Sequence, residues 1–147
     1  MKIRIICLFF NFIPKQSVSA FAPISNPINC PWGVKAFTGY LGDNKESWKQ
    51  WDASELARNY SGRKLTVLID QGSADNFYTD KQLQPEIFAE AASKQPELLE
   101  VAYNLREGYD HSYYFIQTFI GTHLHFHYGF LSQVTDHNDT INKKPLC

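Results

Sequence analysis

Cysteine is scarce in this 147-residue chain: Cys7, Cys30 and Cys147 are the whole set. They form no C-x-x-C spacing and no even-numbered framework, which excludes a disulfide scaffold and a cysteine zinc site and suits a reducing compartment. Charge of one sign is also lacking. Fourteen basic and fifteen acidic residues leave a formal net charge of −1, so nothing here would draw nucleic acid or an anionic membrane surface. No apolar segment reaches the roughly 20 residues that a membrane span needs. Glycine is sparse too: none of the eight glycines has another four residues on, and none of the ten serines has a glycine two positions before it. That excludes the G-x-S-x-G turn on which an α/β-type serine nucleophile is presented.

What remains is the composition of a single packed domain, 44% hydrophobic and 15% aromatic. Met1 to Ile13 (MKIRIICLFFNFI) has early basic residues and then an apolar run, and Val18-Ser19-Ala20 resembles a signal cleavage site. Asn11 and Pro14 interrupt that pattern, and the cleavage site would fall inside a core strand. The expectation is a cytoplasmic protein. The sequons at Asn59 and Asn138 would matter only in a secreted chain.

Ser17 to Pro23 (SVSAFAP) reads as a buried strand, and the proline-punctuated stretch from Ile24 as loop, with a short helix over Ala36 to Leu41. Asp52 followed by Glu55 is a capping-box spacing and predicts a helix to Tyr60. Leu65 to Asp70 (LTVLID) is continuously apolar and β-branched, as a strand covered on both faces should be. Leu83 to Lys94 reads as a helix with Pro85 in its first turn. Leu99 to Leu105 alternates, with Leu99, Val101, Tyr103 and Leu105 on the inward face, and suits a strand near a sheet edge. Ser112 to Leu131 returns to helical spacing, where Ile116, Ile120, Leu124 and Tyr128 form the expected buried stripe. Residues 132–147 read as a polar tail. The alternation of strands and helices predicts an α/β fold with a mostly parallel sheet.

Two loops carry titratable residues just past strand ends, where open α/β sheets bind their ligands. One runs from Gln71 to Phe77 and holds Asp75; the other runs from Arg106 to His111. The 36 residues between Asp75 and His111 accommodate one helix and one strand, so the two loops reach the same rim. A carboxylate beside an imidazole fixes its tautomer and lets the other nitrogen take a proton from a nucleophile. The plain alternative, a capping histidine and a turn aspartate, is equally compatible with the spacing.

Four ordered strings add to this reading: Cys30-Pro31-Trp32-Gly33, Ala36-Phe37-Thr38-Gly39-Tyr40-Leu41-Gly42, Leu68-Ile69-Asp70-Gln71-Gly72 and Gly108-Tyr109-Asp110-His111-Ser112-Tyr113-Tyr114-Phe115. They resemble the S-formylglutathione hydrolase (esterase D) family, from about residue 17 to about residue 131. The resemblance implies the C-terminal portion of an α/β-hydrolase fold. It makes Asp75 the triad acid and His111 the triad base, with Asp70 and Asp110 as neighbouring alternatives. Asp75 is preferred because the family's acid lies three residues after the glycine at 72. It also implies a serine hydrolase acting on the thioester S-formylglutathione in formaldehyde detoxification, with esterase side activity, no cofactor or metal, and homodimers.

The chain departs from that family in lacking the nucleophile elbow and the upstream oxyanion loop. The expectation is therefore a partial hydrolase domain, inactive by itself, flanked by a non-family segment 1–16 and the tail 132–147. Such a piece would expose an apolar edge at Ser17 to Pro23 unless Ile3 to Ile13 adds a strand there. A non-catalytic interaction fragment is the competing expectation. His123, His125 and His127 are read as a solvated helix face, because only the first and last share a side of the helix and no carboxylate pattern accompanies them.

Overall fold

The computed structural model describes the backbone of residues 16–141 and the side chains of 17–132. The opening run to Ile13, with its expected extra strand, and residues 142–147 lie outside the described residues. Three parallel strands form the sheet in the order β1-β2-β3: β1 (Gln16–Phe21), β2 (Leu65–Gly72) and β3 (Leu99–Arg106). The central strand β2 is buried from Val67 to Gly72, which is why its sequence is continuously apolar where an edge strand alternates. It runs two residues further than its apolar pattern indicates, carrying Gln71 and Gly72 into the rim.

Between β1 and β2 the chain makes a 3-10 turn at Pro27–Asn29 and then α1 (Pro31–Leu41), α2 (Lys45–Trp48), a second 3-10 turn and α3 (Ala53–Arg58). Helix α1 begins five residues earlier than the expected helix at Ala36. Pro31 sits in its first turn, where a fixed φ and a missing N–H cost nothing, and Cys30 Sγ accepts from Gly33 N. A Cβ at Gly33 would lie 2.1 Å from the Pro27 carbonyl oxygen, so glycine here permits close packing of helix on turn. Asp52 caps α3 as expected, accepting from Ser54 N and Glu55 N, and its other oxygen takes Ile28 N at 3.1 Å. One buried carboxylate thus joins the start of α3 to the first turn.

Helices α4 (Asn76–Thr79) and α5 (Pro85–Ala92) connect β2 to β3. Helix α5 packs with α3 and the sheet around Ala57, Ala91, Ala92 and Leu99. On β3 the expected inward face fails at its end: Leu105 is 48% exposed. Asn104 and Arg106, on the opposite face, are instead drawn to Asp70, the register partner of Asn104 on β2.

The last helix, α6, spans Tyr113–Ile141. It continues well past Leu131, into the expected tail, because no glycine or proline falls between Gly129 and Ile141 to stop it. Its buried stripe is one residue out of phase with the expected one. Phe115 and His123 are buried, with Phe119 and His127 half-buried between and beyond them, whereas Ile120, Leu124 and Tyr128 are exposed. The same correction applies to the histidines, since His123 does not lie on a solvated face. A four-residue repeat marks every side of a helix, and the sheet chooses among the sides by the polar atoms it presents. Ser17 Oγ and Ser19 Oγ meet His127 Nδ1 and Nε2, each at 2.9 Å, and the His123 ring stacks on Phe21 at 3.8 Å.

Burial, and then the neighbouring His123, hold His127 below the ordinary imidazole range. The folded state therefore prefers neutral His127, and this contribution is whole above the unfolded value of about 6.5 and declines as pH falls from there toward the folded value. Replacing His127 by Gln should remove that decline. Urea midpoints of parent and variant, compared at about pH 7.5 and about pH 5.5, should converge at the lower pH.

Candidate active site

The strands place two loops side by side. Strand β2 ends on Gly72, whose Cβ, were it present, would lie 2.2 Å from the Tyr109 carbonyl oxygen. That close approach lets the loops share hydrogen bonds: Ser73 N to Arg106 O, Ala74 N to Tyr109 O and Gly108 N to Ser73 Oγ, each at 2.9 Å. Gly108 itself stands at φ 75°, a left-handed turn that favours glycine. A Gly72→Ala change meets backbone that cannot swing aside, and should cost about 1–3 kcal/mol. Urea unfolding would measure the loss; a variant as stable as the parent would show that the loops can separate freely.

Asp75 caps α4 from within this loop. It is fully buried. Its Oδ1 accepts from Phe77 N at 2.8 Å and from Tyr78 N at 3.4 Å. Its Oδ2 faces His111 Nδ1 at 2.7 Å and also accepts from Gln71 Nε2 at 3.1 Å. The His111 side chain is 19% exposed, and the Phe77 ring stands edge-on to it at 4.9 Å. With Nδ1 committed to the carboxylate, Nε2 is the ring nitrogen left for proton transfer. The expected pair is thus brought together by two adjacent parallel strands.

The neighbouring alternatives stand differently. Asp110 is exposed. Asp70 is buried and occupied: it accepts from Asn104 Nδ2 at 2.8 Å and from Arg106 Nε and Nη2 at 3.1 Å, with His123 Nε2 at 3.6 Å. Burial pushes its carboxyl up, but His123, Asn104 and Arg106 together outweigh that and hold it below the usual range. Arg106 also lies over the Phe119 ring at 4.3 Å. Asp70 therefore ties the end of β3 to β2 and α6. Sequence reasoning missed this role of Arg106 and the hydrogen bond of Gln71, since neither has a motif; the register of β2 against β3 reveals the first, and the turn that brings Asp75 back to Gln71 reveals the second.

Cys30, the cysteine among the described residues, does not supply a nucleophile here. Cys30 is buried in its capping role, and burial pushes its thiol up, the opposite of an activated thiolate. Among the described residues, no group of three or more His, Cys, Asp or Glu side chains is arranged to hold a metal ion. No described helix is long and apolar enough to cross a membrane.

Comparison with known proteins agrees with this architecture. The family model described as "Putative esterase" matches residues 14–126. The S-formylglutathione hydrolase of Rattus norvegicus is 48% identical over 128 residues, which is 87% of this chain and 45% of the rat protein. That of Arabidopsis thaliana is 57% identical over 114 residues, 76% of this chain and 38% of the plant protein. The solved S-formylglutathione hydrolase of Agrobacterium tumefaciens superimposes with a TM-score of 0.70 at 38% identity, covering 78% of this chain and 40% of that one. The chain spans less than half the length of these relatives.

Proposed function

This chain belongs to the esterase family and has a partial α/β-hydrolase fold, and from that premise we propose that Asp75 and His111 are the acid and base of a serine-hydrolase triad whose substrate is S-formylglutathione. The observation that carries the reading is the 2.7 Å contact of His111 Nδ1 with a buried carboxylate oxygen at the carboxyl ends of adjacent parallel strands. The relatives' names supply the substrate.

In this reading a serine from sequence not present in this chain attacks the thioester carbonyl while His111 Nε2 takes the hydroxyl proton. Asp75 holds the imidazole and stabilises its charged form. The C–S bond breaks, the imidazolium returns its proton to the glutathione thiolate, and a formyl-serine remains. Water then attacks the formyl carbon, giving its proton to His111, which passes it to the departing serine oxygen as formate leaves. No cofactor enters these steps. The cysteine-poor composition and the buried thiol of Cys30 support a reducing, cytoplasmic setting.

The chain alone has no G-x-S-x-G serine, and loss of a triad nucleophile costs on the order of 10^6-fold in turnover. By itself it should be inactive. The test supplies the first half of the rat relative, fused or in trans, and assays S-formylglutathione hydrolysis. A second reading, a non-catalytic interaction fragment, is favoured by the exposed row of Ile120, Leu124 and Tyr128 on α6. It predicts no activity in either arrangement.

A further inference from the structure

Gln71 is fully buried at the end of β2, and its side chain is placed at a cost. Nε2 donates to the Gly72 carbonyl and to Asp75 Oδ2, each at 3.1 Å, while Oε1 is buried without a hydrogen-bond partner among the described residues. The amide orientation follows from the acceptors around it. Turned over, it would set its oxygen against two other oxygens and strand the NH2 group. A side chain needed only to fill space would be better served by leucine or methionine, which leave no polar atom unsatisfied.

We propose that Gln71 is a positioning residue for His111, acting through Asp75. A carboxylate offers about four acceptor sites. Phe77 N and Tyr78 N take those of Oδ1, and His111 Nδ1 and Gln71 Nε2 take those of Oδ2. With every site filled, the carboxylate cannot turn, and Oδ2 faces His111 in one direction only. Without the Gln71 donor, Oδ2 has a vacant site, water competes for it, and the imidazole loses its fixed partner. The orphaned Oε1 is the cost of aiming Nε2 at Asp75.

The proposal rests on the pairing of Asp75 with His111, and its test separates the two. In the ¹⁵N-labelled chain, the Nδ1-bound proton of His111 should give a protected NMR signal that is lost in Asp75→Asn. In Gln71→Leu and Gln71→Asn, which cannot reach Oδ2 with a donor, that proton should exchange with water about tenfold faster or more, while the amides of β2 keep their protection. Exchange within about twofold of the parent in either folded variant would overturn the role of Gln71 and leave the pair standing. Failure of both variants to fold would also overturn it, because a positioning role predicts a local effect. A parent chain with no protected Nδ1 proton, or one that survives in Asp75→Asn, would instead contradict the pair itself.

Discussion

Replacing Asp75 by asparagine, in a form of the protein supplied with the serine-bearing half, should lower kcat by about 10^4-fold with little change in KM. The asparagine keeps a carbonyl oxygen for the α4 cap, so the loop should hold. If its NH2 group faces His111, the ring takes the other tautomer, and Nε2 then carries a proton when it should accept one. His111→Ala should cost at least as much, since it removes the base and also the acid that protonates the leaving thiolate. Combining the two should cost little more than the worse single change, because the groups act as a unit. Steady-state kinetics with the thioester would measure all three. An Asp75→Asn enzyme within tenfold of the parent would exclude Asp75 as the triad acid.

The second large effect concerns stability. Asp70→Ala strips Arg106, Asn104 and His123 of their common partner in the interior. Breaking a buried ion pair from one side costs about 3–5 kcal/mol, against a total of about 5–15 kcal/mol for an ordinary domain. A large fraction of the chain's stability should therefore go, and the urea midpoint should fall by a corresponding fraction. The parent should also lose this contribution in acid. Because the folded Asp70 carboxyl is held low, its stabilisation is complete above the unfolded value of about 3.9 and disappears as pH drops below that through the folded value. A midpoint shift worth less than about 1 kcal/mol would mean that Arg106 finds equal company in water.

Local signals made much of the fold legible. Asp52 with Glu55 three residues on, Pro85 in a first turn and the unbroken Leu65 to Ile69 each correspond to the element they suggest. Proline misled at α1, because a residue that punctuates loops is also a good first residue of a helix. The phase of α6 was illegible for a deeper reason. Ile116, Ile120, Leu124 and Tyr128 outrank Phe115, Phe119, His123 and His127 on hydrophobicity. Ser17 and Ser19, far away in sequence, nevertheless give His127 the hydrogen bonds that turn its side inward.

The site divides in the same way. Position after strands only nominates Asp75 and His111, leaving a capping histidine and a turn aspartate equally open, and it is the family strings that single them out. Gln71 and Arg106 are not even nominated, because a glutamine or arginine at a strand end has no distinguishing spacing. The role of Arg106 follows from the register that sets Asp70 opposite Asn104, and that of Gln71 from the turn that brings Asp75 back to its amide.

S-formylglutathione hydrolysis by the purified chain, alone and with the serine-bearing half of the rat relative, decides whether Asp75 and His111 serve a serine supplied from outside this chain. The chain alone should give a rate indistinguishable from buffer. The combined protein should hydrolyse the thioester, and His111→Ala should abolish that activity. Turnover by the chain alone at an ordinary enzyme rate, or combined activity that survives His111→Ala, would contradict that role.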